Sequence, residues 1–409
     1  MRNRLWRTVA AAAVTLVTVS VMRCTKEDTQ GPKPEIDASK GAAKAKKRDV
    51  KAKKEDTKAK ESDKIGWVLW RGDAAQTGVA KTTLPTKLDL LWTHDAGSPV
   101  DSTAAIADGT VYVGTNDDRL LALHLADGKP KWSYKTEGPV SAGPCVQGGR
   151  VFVGDEGGWF HAVDIKTGKR VWTFETHGRI VSGANVSEGC VLFGSYDNVL
   201  YCVDASSGKL KWSFQADAQV HASPCVFDGS ASIAGCDMLC RIIDLQTGEE
   251  SGTIELGSNV AAAPAFLEGK LFVATLNGGL WCVDTGALEL SWKYADETID
   301  SLFASPAVTS HGVIFATRGG AVICADVHDG KKKWAFRAKG RIDSSPVIVG
   351  DRVFFGSTDG NVYALGVKDG LKRWSFAAGA GVTASAAVGQ GRLVIGTEDG
   401  AIYCFGSKR

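Results

Sequence analysis

From about residue 90 the chain is a succession of short apolar runs in which β-branched, aromatic and small residues alternate with polar ones, each closed by a Gly, Asp or Asn turn. Residues 338–376 show the unit. A run with proline around Ile342–Pro346 (strand A) is followed by Arg352-Val-Phe-Phe-Gly-Ser357 (B), Asn361-Val-Tyr-Ala-Leu365 (C) and Leu371-Lys-Arg-Trp374-Ser-Phe376 (D). Thr358-Asp359-Gly360 separates B from C and Lys368-Asp369-Gly370 separates C from D, both tight-turn signals. The pattern predicts four antiparallel strands in about 40 residues, which is one propeller blade.

The same phase recurs along the chain. Trp92, Trp132, Trp172, Trp212, Trp292, Trp334 and Trp374 stand at the same point of strand D, and Gly252 stands where one further tryptophan is due. A fixed period of about 40 with strand-like content is the mark of a repeat array. Seven complete A–D sets begin near residues 98, 138, 178, 218, 258, 300 and 341. An eighth set has A, B and C but reaches Arg409 without a D strand, while Leu90-Leu91-Trp92-Thr93 is a D strand with no blade before it. The expectation is an all-β, eight-bladed propeller over 65–409 whose last blade is closed by the N-terminal strand, which removes two exposed edges. The seven tryptophans are expected to be packing pegs between blades.

Before the repeats the pattern changes twice. Residues 1–24 join a basic start to an apolar run from Val9 to Met22, the layout of an export signal and short for a bilayer span. Cys24 follows directly and is the candidate lipidation site, although Arg23 stands where a small residue is usual; lipidation, an uncleaved anchor and ordinary cleavage are the three readings. Each places the rest of the chain outside the cytoplasmic membrane, tethered through the N-terminus in the first two. Residues 25–64 are rich in Lys, Ala, Asp and Glu and nearly free of large apolar groups, so a disordered charged linker is expected.

The formal net charge is +2, but the leader and linker are basic and the repeat region is mildly acidic. Nothing there offers a phosphate-binding surface, which argues against a nucleic-acid partner. Alternation places one residue per blade at the axis, just inside strand A: Asp101, Ser141, Val181, His221, Ala261, Phe303, Asp343 and Thr383. Asp101, His221 and Asp343 are the candidate polar mouth, with the acidic turns Asp117, Asp118, Asp197, Asp359 and Asp399 outside it. Cys202, Cys282, Cys324 and Cys404 share a strand C position with Ala122, Ala162 and Ala364, which reads as a small core slot. Cys236 and Cys240 flank a turn and are the candidate disulfide; a zinc site that also uses His221 and Cys225 is the alternative. Ser206-x-x-Lys209 has the spacing of a serine nucleophile, but it is the C–D turn of the repeat.

The repeat, with its Ser-Pro-Val, Val-Phe-Phe-Gly-Ser-x-Asp-Gly, Val-Tyr-Ala-Leu and Gly-Lys-x-x-Trp-x-Phe segments and the Trp70-Arg71-Gly72-Asp73 lead-in, resembles the pyrroloquinoline-quinone-type eight-bladed propellers across about 90–409. That family includes quinoprotein alcohol dehydrogenases and outer-membrane assembly lipoproteins. The enzymes, by resemblance, hold the quinone with Ca²⁺ on the propeller axis, use an Asp base and often carry a ring of adjacent cysteines. This chain has ten Cys with no adjacent pair, and repeats that stay near 40 residues. The expectation is therefore a monomeric, non-enzymatic scaffold without a cofactor. Its expected partner is a cell-envelope protein such as an outer-membrane barrel assembly complex; a PQQ–Ca²⁺ dehydrogenase and a periplasmic sensor that binds a small ligand at the mouth are the alternatives.

Overall fold

Alternating short strands can bury two faces only if sheets stack, and here they stack radially. The computed structural model describes residues 66–408, apart from 295, 297 and 298; the leader, Cys24 and the linker lie outside the described residues. Eight four-stranded antiparallel sheets are arranged as blades. Blade 1 is Ala105–Ala107 (A), Thr110–Thr115 (B), Arg119–His124 (C) and Pro130–Lys135 (D). Blade 8 takes A, B and C from Ala387–Gly389, Arg392–Gly396 and Ala401–Gly406, and its D strand is Asp89–Asp95 from the start of the fold. Leu90 pairs with Phe405 and Trp92 with Cys404, so the ring is closed by the N-terminal strand.

Strand A is shorter than expected, three residues in every blade. The segment before it is turned away from its own sheet and bonds the preceding blade instead: Val140 N–H donates to Thr115 O (3.0 Å), Val220 to Ser195 (3.2 Å) and Val100 to Thr397 (3.0 Å). The β-branched side chain beside each of these bonds occupies the space over a B-strand glycine. A Cβ on Gly194 would lie 2.4 Å from Val220 Cγ1, which explains why glycine ends that strand.

The tryptophans cross the blade boundaries. In the C–D ladder Trp132 faces Ala122, Trp212 faces Cys202 and Trp374 faces Ala364, so the small core slot is the partner that makes room for the indole. Each ladder slips by one residue beside the tryptophan, a bulge that kinks the outer strand. The indole then lies on the C–D turn of the next blade. A Cβ on Gly128 would meet Trp92 at 2.5 Å and one on Gly248 would meet Trp212 at 2.6 Å; both glycines have positive φ. The indole N–H donates to a carbonyl of that next blade, Trp92 to Leu125 (2.9 Å) and Trp212 to Leu245 (2.9 Å).

Blade 4 shows the same contact with its parts exchanged. Gly252 faces Ile242 rather than Cys or Ala. The turn position of the next blade, glycine at 128, 168, 208 and 248, is Leu288, at φ +57. A Cβ on Gly252 would lie 2.7 Å from the Leu288 methyls, so Leu288 occupies the missing indole's place.

Residues 67–80 form a strap across one end of the axis. As each blade's innermost strand, A carries unpaired edge amides, and in six blades the strap supplies an acceptor for one of them. Ile106 donates to Trp67 O, Val146 to Val68 O, Val226 to Ala74 O, Phe266 to Ala75 O, Val308 to Thr77 O and Ile348 to Gly78 O, all at 2.7–2.9 Å. Arg71, 1 % exposed, donates to Pro306 O (3.0 Å) and Pro346 O (2.7 Å). Burial lowers its guanidinium to about 9, opposed in part by Asp73.

Candidate axial cup and its mouth

The strap turns the central channel into a cup. Trp70 is its floor: it fits between Gly143 and Gly183, where a Cβ would lie 2.7 and 2.9 Å from the indole. The cavity above is about 180 Å³ and is lined by Asp101, Ser141, Val181, His221, Ala261, Phe303, Asp343 and Thr383, the eight positions that alternation places at the axis. Asp101, His221 and Asp343 are thus brought to one cavity.

A second ring lies two residues further along each blade. Ser305 Oγ accepts from Ala263 N (2.9 Å), Ser345 Oγ from Ser305 N (2.9 Å), Ser385 Oγ from Ser345 N (2.8 Å) and Thr103 Oγ1 from Ser385 N (3.3 Å). This hydroxyl belt ties blades 5 to 8 and blade 1, and it lapses where Gly143 and Gly183 admit Trp70. The Ser-Pro repetition was a legible signal for it; the floor residue, outside any repeat, had none.

The mouth is built from cross-blade polar pairs. Asp343 is held between Arg318 (2.8 Å) and Arg341 (2.9 Å), and Arg318 lies 3.4 Å above the Phe303 ring. Asp101 accepts from Asn116 (2.8 Å) and Thr383 (3.0 Å). Ser141 donates to Glu156 (3.0 Å), Arg179 pairs with Glu156 (3.3 Å), and Arg179 also covers the Tyr196 ring. Glu398 is raised by burial and then by Asp101 and Asp343, against Arg341. Of the two carboxylates lining the cup, Asp343 is charge-compensated by arginines and Asp101 is hydrogen-bonded by neutral partners.

His221 is the exception. Burial, then the charge of Arg179, lowers it to about 4, so it is neutral near pH 7. Tyr196, raised to about 12 chiefly by burial, shares a hydrogen bond of 2.5 Å between its hydroxyl and His221 Nδ1. The imidazole is locked to its neighbour blade.

The acidic turns do other work. Asp117 binds Thr115 and Arg119, Asp118 binds Lys135, Asp197 accepts from Tyr201, Asp359 from Tyr363 and Asp399 from Thr397. They close their own hairpins.

Cys240 is a free, buried thiol 3.3 Å from Ser232 Oγ, so the expected disulfide with Cys236 is not formed. Strand alternation turns Cys240 into the core, while Cys236 sits in the turn. The zinc alternative fails for the same reason: Cys225 points to Ala75 O (3.3 Å) and His221 to the axis. Among the described residues, the cluster with metal-like convergence is instead Glu137, Asp155 and His161. There His161 is held by Asp155 (2.8 Å) and Tyr134 (3.1 Å), and Asp155 also accepts the Trp159 and Glu137 amides (2.9 and 3.0 Å), which makes the cluster the blade 2 form of the turn lock. Among the described residues no helix is long and apolar enough to cross a membrane.

The family model described as outer membrane protein assembly factor BamB matches residues 66–184, 175–251 and 297–408, more than half of the chain. No curated protein sequence matches it. Among solved structures, BamB from Moraxella catarrhalis superimposes with a TM-score of 0.70 at 18% identity, covering 78% of this chain and 100% of the other. Quinohemoprotein alcohol dehydrogenase from Comamonas testosteroni gives 0.73 at 16% identity over 86% and 82%. A europium-containing methanol dehydrogenase gives 0.67 at 14% identity over 84% and 98%. At these identities the likeness is one of fold.

Proposed function

From the chain's membership in the BamB family of PQQ-like repeat propellers we propose that it is a non-enzymatic interaction scaffold of the cell envelope, exported and tethered through its N-terminus, whose partner is an outer-membrane barrel assembly complex. The observation that carries this reading is the family match, which spans blades on both sides of the ring closure. The axial cup supports it from the other side. Its volume, about 180 Å³, is below the 300–1,000 Å³ usual for small-molecule pockets. The donors suit a quinone with Ca²⁺ poorly: of the two lining carboxylates Asp343 is ion-paired with two arginines, which leaves only Asp101, bonded to the neutral Asn116 and Thr383, without a cationic partner. His221, held near 4, is far below the pKa of an effective base at neutral pH. The cup reads as the stabilised hub of the ring, and the scaffold's binding capacity belongs to its outer surfaces.

The test is capture of the tagged full chain from crosslinked, detergent-solubilised envelopes. Co-purification of an outer-membrane barrel protein is expected. Its absence, together with dye reduction when quinone and Ca²⁺ are added, would overturn the scaffold in favour of the dehydrogenase.

A further inference from the structure

Position by position, blade 3 carries a chemistry its sister blades lack. Where strand B begins, the eight blades have Thr110, Arg150, Cys190, Ser230, Lys270, Gly312, Arg352 and Arg392; in the small slot of strand C they have Ala, Cys or Ile. Blade 3 alone has cysteine at both, Cys190 and Cys202. Cys190 is paired in the ladder with Asp204 and Leu192 with Cys202, so the two cysteines are diagonal neighbours on one face. Their sulfurs are 2.7 Å apart and both thiols are free. That spacing is close to the bonded separation of about 2.05 Å.

The pair has a way in. A cavity of about 280 Å³ opens on the face opposite the axial mouth, between the A–B turn of blade 3 and the C–D turn of blade 4. It is lined by Ser187, Glu188, Cys190, Lys211, Trp212, Leu245 and Gln246. Cys190 is 8 % exposed at its wall; Cys202, fully buried, stands behind it. Lys211 reaches Cys190 from its strand, a contact that raises the ammonium. The repeat gives that contact a benign counterpart, since in blade 1 Lys131 donates to the Thr110 hydroxyl at 2.7 Å. In blade 3 the same reach sets a positive charge beside a sulfur, where it favours the negative charge that an attacking thiol develops.

We propose that Cys190 and Cys202 form a thiol–disulfide exchange site, with Cys190 as the attacking sulfur, Cys202 as the resolving sulfur and a small organic disulfide as the oxidant admitted by the cavity. Cys190 gives up its proton and attacks one sulfur of the disulfide, RSSR; a Cys190–SR bond forms and RS⁻ leaves and takes a proton. Cys202 then loses its proton and attacks the Cys190 sulfur, and the second RS⁻ leaves as RSH. The two protein thiols are oxidised to one disulfide, and RSSR is reduced to two RSH. Cys202 cannot begin the sequence, since desolvation holds its thiol up and the strands cover it.

The experiment uses the full chain and oxidised glutathione, followed by alkylation under denaturing conditions and peptide mass mapping. Both cysteines fall in one tryptic fragment, from Ile180 to Lys209, because no Lys or Arg stands between them. That fragment is expected to become lighter by two hydrogens and to escape alkylation, and dithiothreitol is expected to reverse both changes. Cys202→Ser should stop at a glutathione adduct on Cys190, whereas Cys190→Ser should leave Cys202 unmodified. Lys211→Met should slow the adduct several-fold in the Cys202→Ser background without changing the circular dichroism of the protein. Full alkylation of both cysteines after the treatment would overturn the proposal, as would an adduct on Cys202 in Cys190→Ser while Cys202→Ser stays unmodified.

Discussion

Blade 4 offers a test in which one substitution should change sign with its surroundings. Gly252→Trp in the native chain puts an indole where the Leu288 methyls already lie 2.7 Å from the first added atom, opposite Ile242 in the ladder. Overpacking of this kind costs about 1–3 kcal/mol. In an Ile242→Ala/Leu288→Gly background the small slot and the turn glycine of the sister blades are restored, and the same indole has its seat. Burying ~100 Å² of it contributes about 2.5 kcal/mol, and an N–H bond to Thr285 O, the counterpart of Leu245 O for Trp212, adds about 1 kcal/mol. The relief of Leu288 from φ +57, ~1 kcal/mol, belongs to the background and cancels in this comparison. For a fold this long, 3 kcal/mol corresponds to a shift of about 4 °C in the unfolding midpoint. The assay is thermal unfolding by circular dichroism at one scan rate, comparing the effect of Gly252→Trp in the two backgrounds. It should lower the midpoint in the first and raise it in the second. Equal effects in both would refute the claim that blade 4 is a compensated exchange.

Three further outcomes follow from the same geometry. His221 has its folded pKa depressed from 6.5 to about 4, so the unfolded chain binds the extra proton first: stability is full above about pH 6.5 and declines as pH falls towards 4, by up to about 3 kcal/mol. Urea midpoints across pH 4–7 should show a slope that His221→Gln flattens, and an unchanged slope would exclude His221 as its source. Trp92→Ala, which unseats the closing strand from blade 1, should cost about 3–5 kcal/mol, read as a urea midpoint. A loss no larger than that of Trp212→Ala would remove any special role in closure. Arg71→Met should destabilise by about 2–4 kcal/mol by leaving the Pro306 and Pro346 carbonyls without their donor, read as a urea midpoint; a neutral result would mean the strap does not secure the hub.

What the sequence shows of this molecule is whatever repeats. Alternation with period 2 inside a period of 40 shows the strands, the eight blades and the split last blade, and it places Asp101, His221 and Asp343 on one axis. It does not show which repeats touch. Trp92 and Gly128 belong to different blades and meet only after the ring forms, so nothing in the linear spacing showed that Leu288 stands where the indole of position 252 would sit. The strap was illegible because its bonds run to inner strands of blades spread from Ile106 to Ile348 and its own residues occur once. Cys236 and Cys240 look like partners by spacing across a turn, yet alternation sends Cys240 into the core, while Cys190 and Cys202 approach through a diagonal that no linear spacing marks.

The measurement closest to the central claim is the crosslinked capture of the full chain from envelopes, with protein partners identified by mass spectrometry and quinone-dependent dye reduction assayed on the same material. A scaffold of barrel assembly predicts an enriched outer-membrane barrel protein and no dye reduction beyond that of a control preparation. Dye reduction that requires added quinone and Ca²⁺, with no barrel protein enriched, would contradict it.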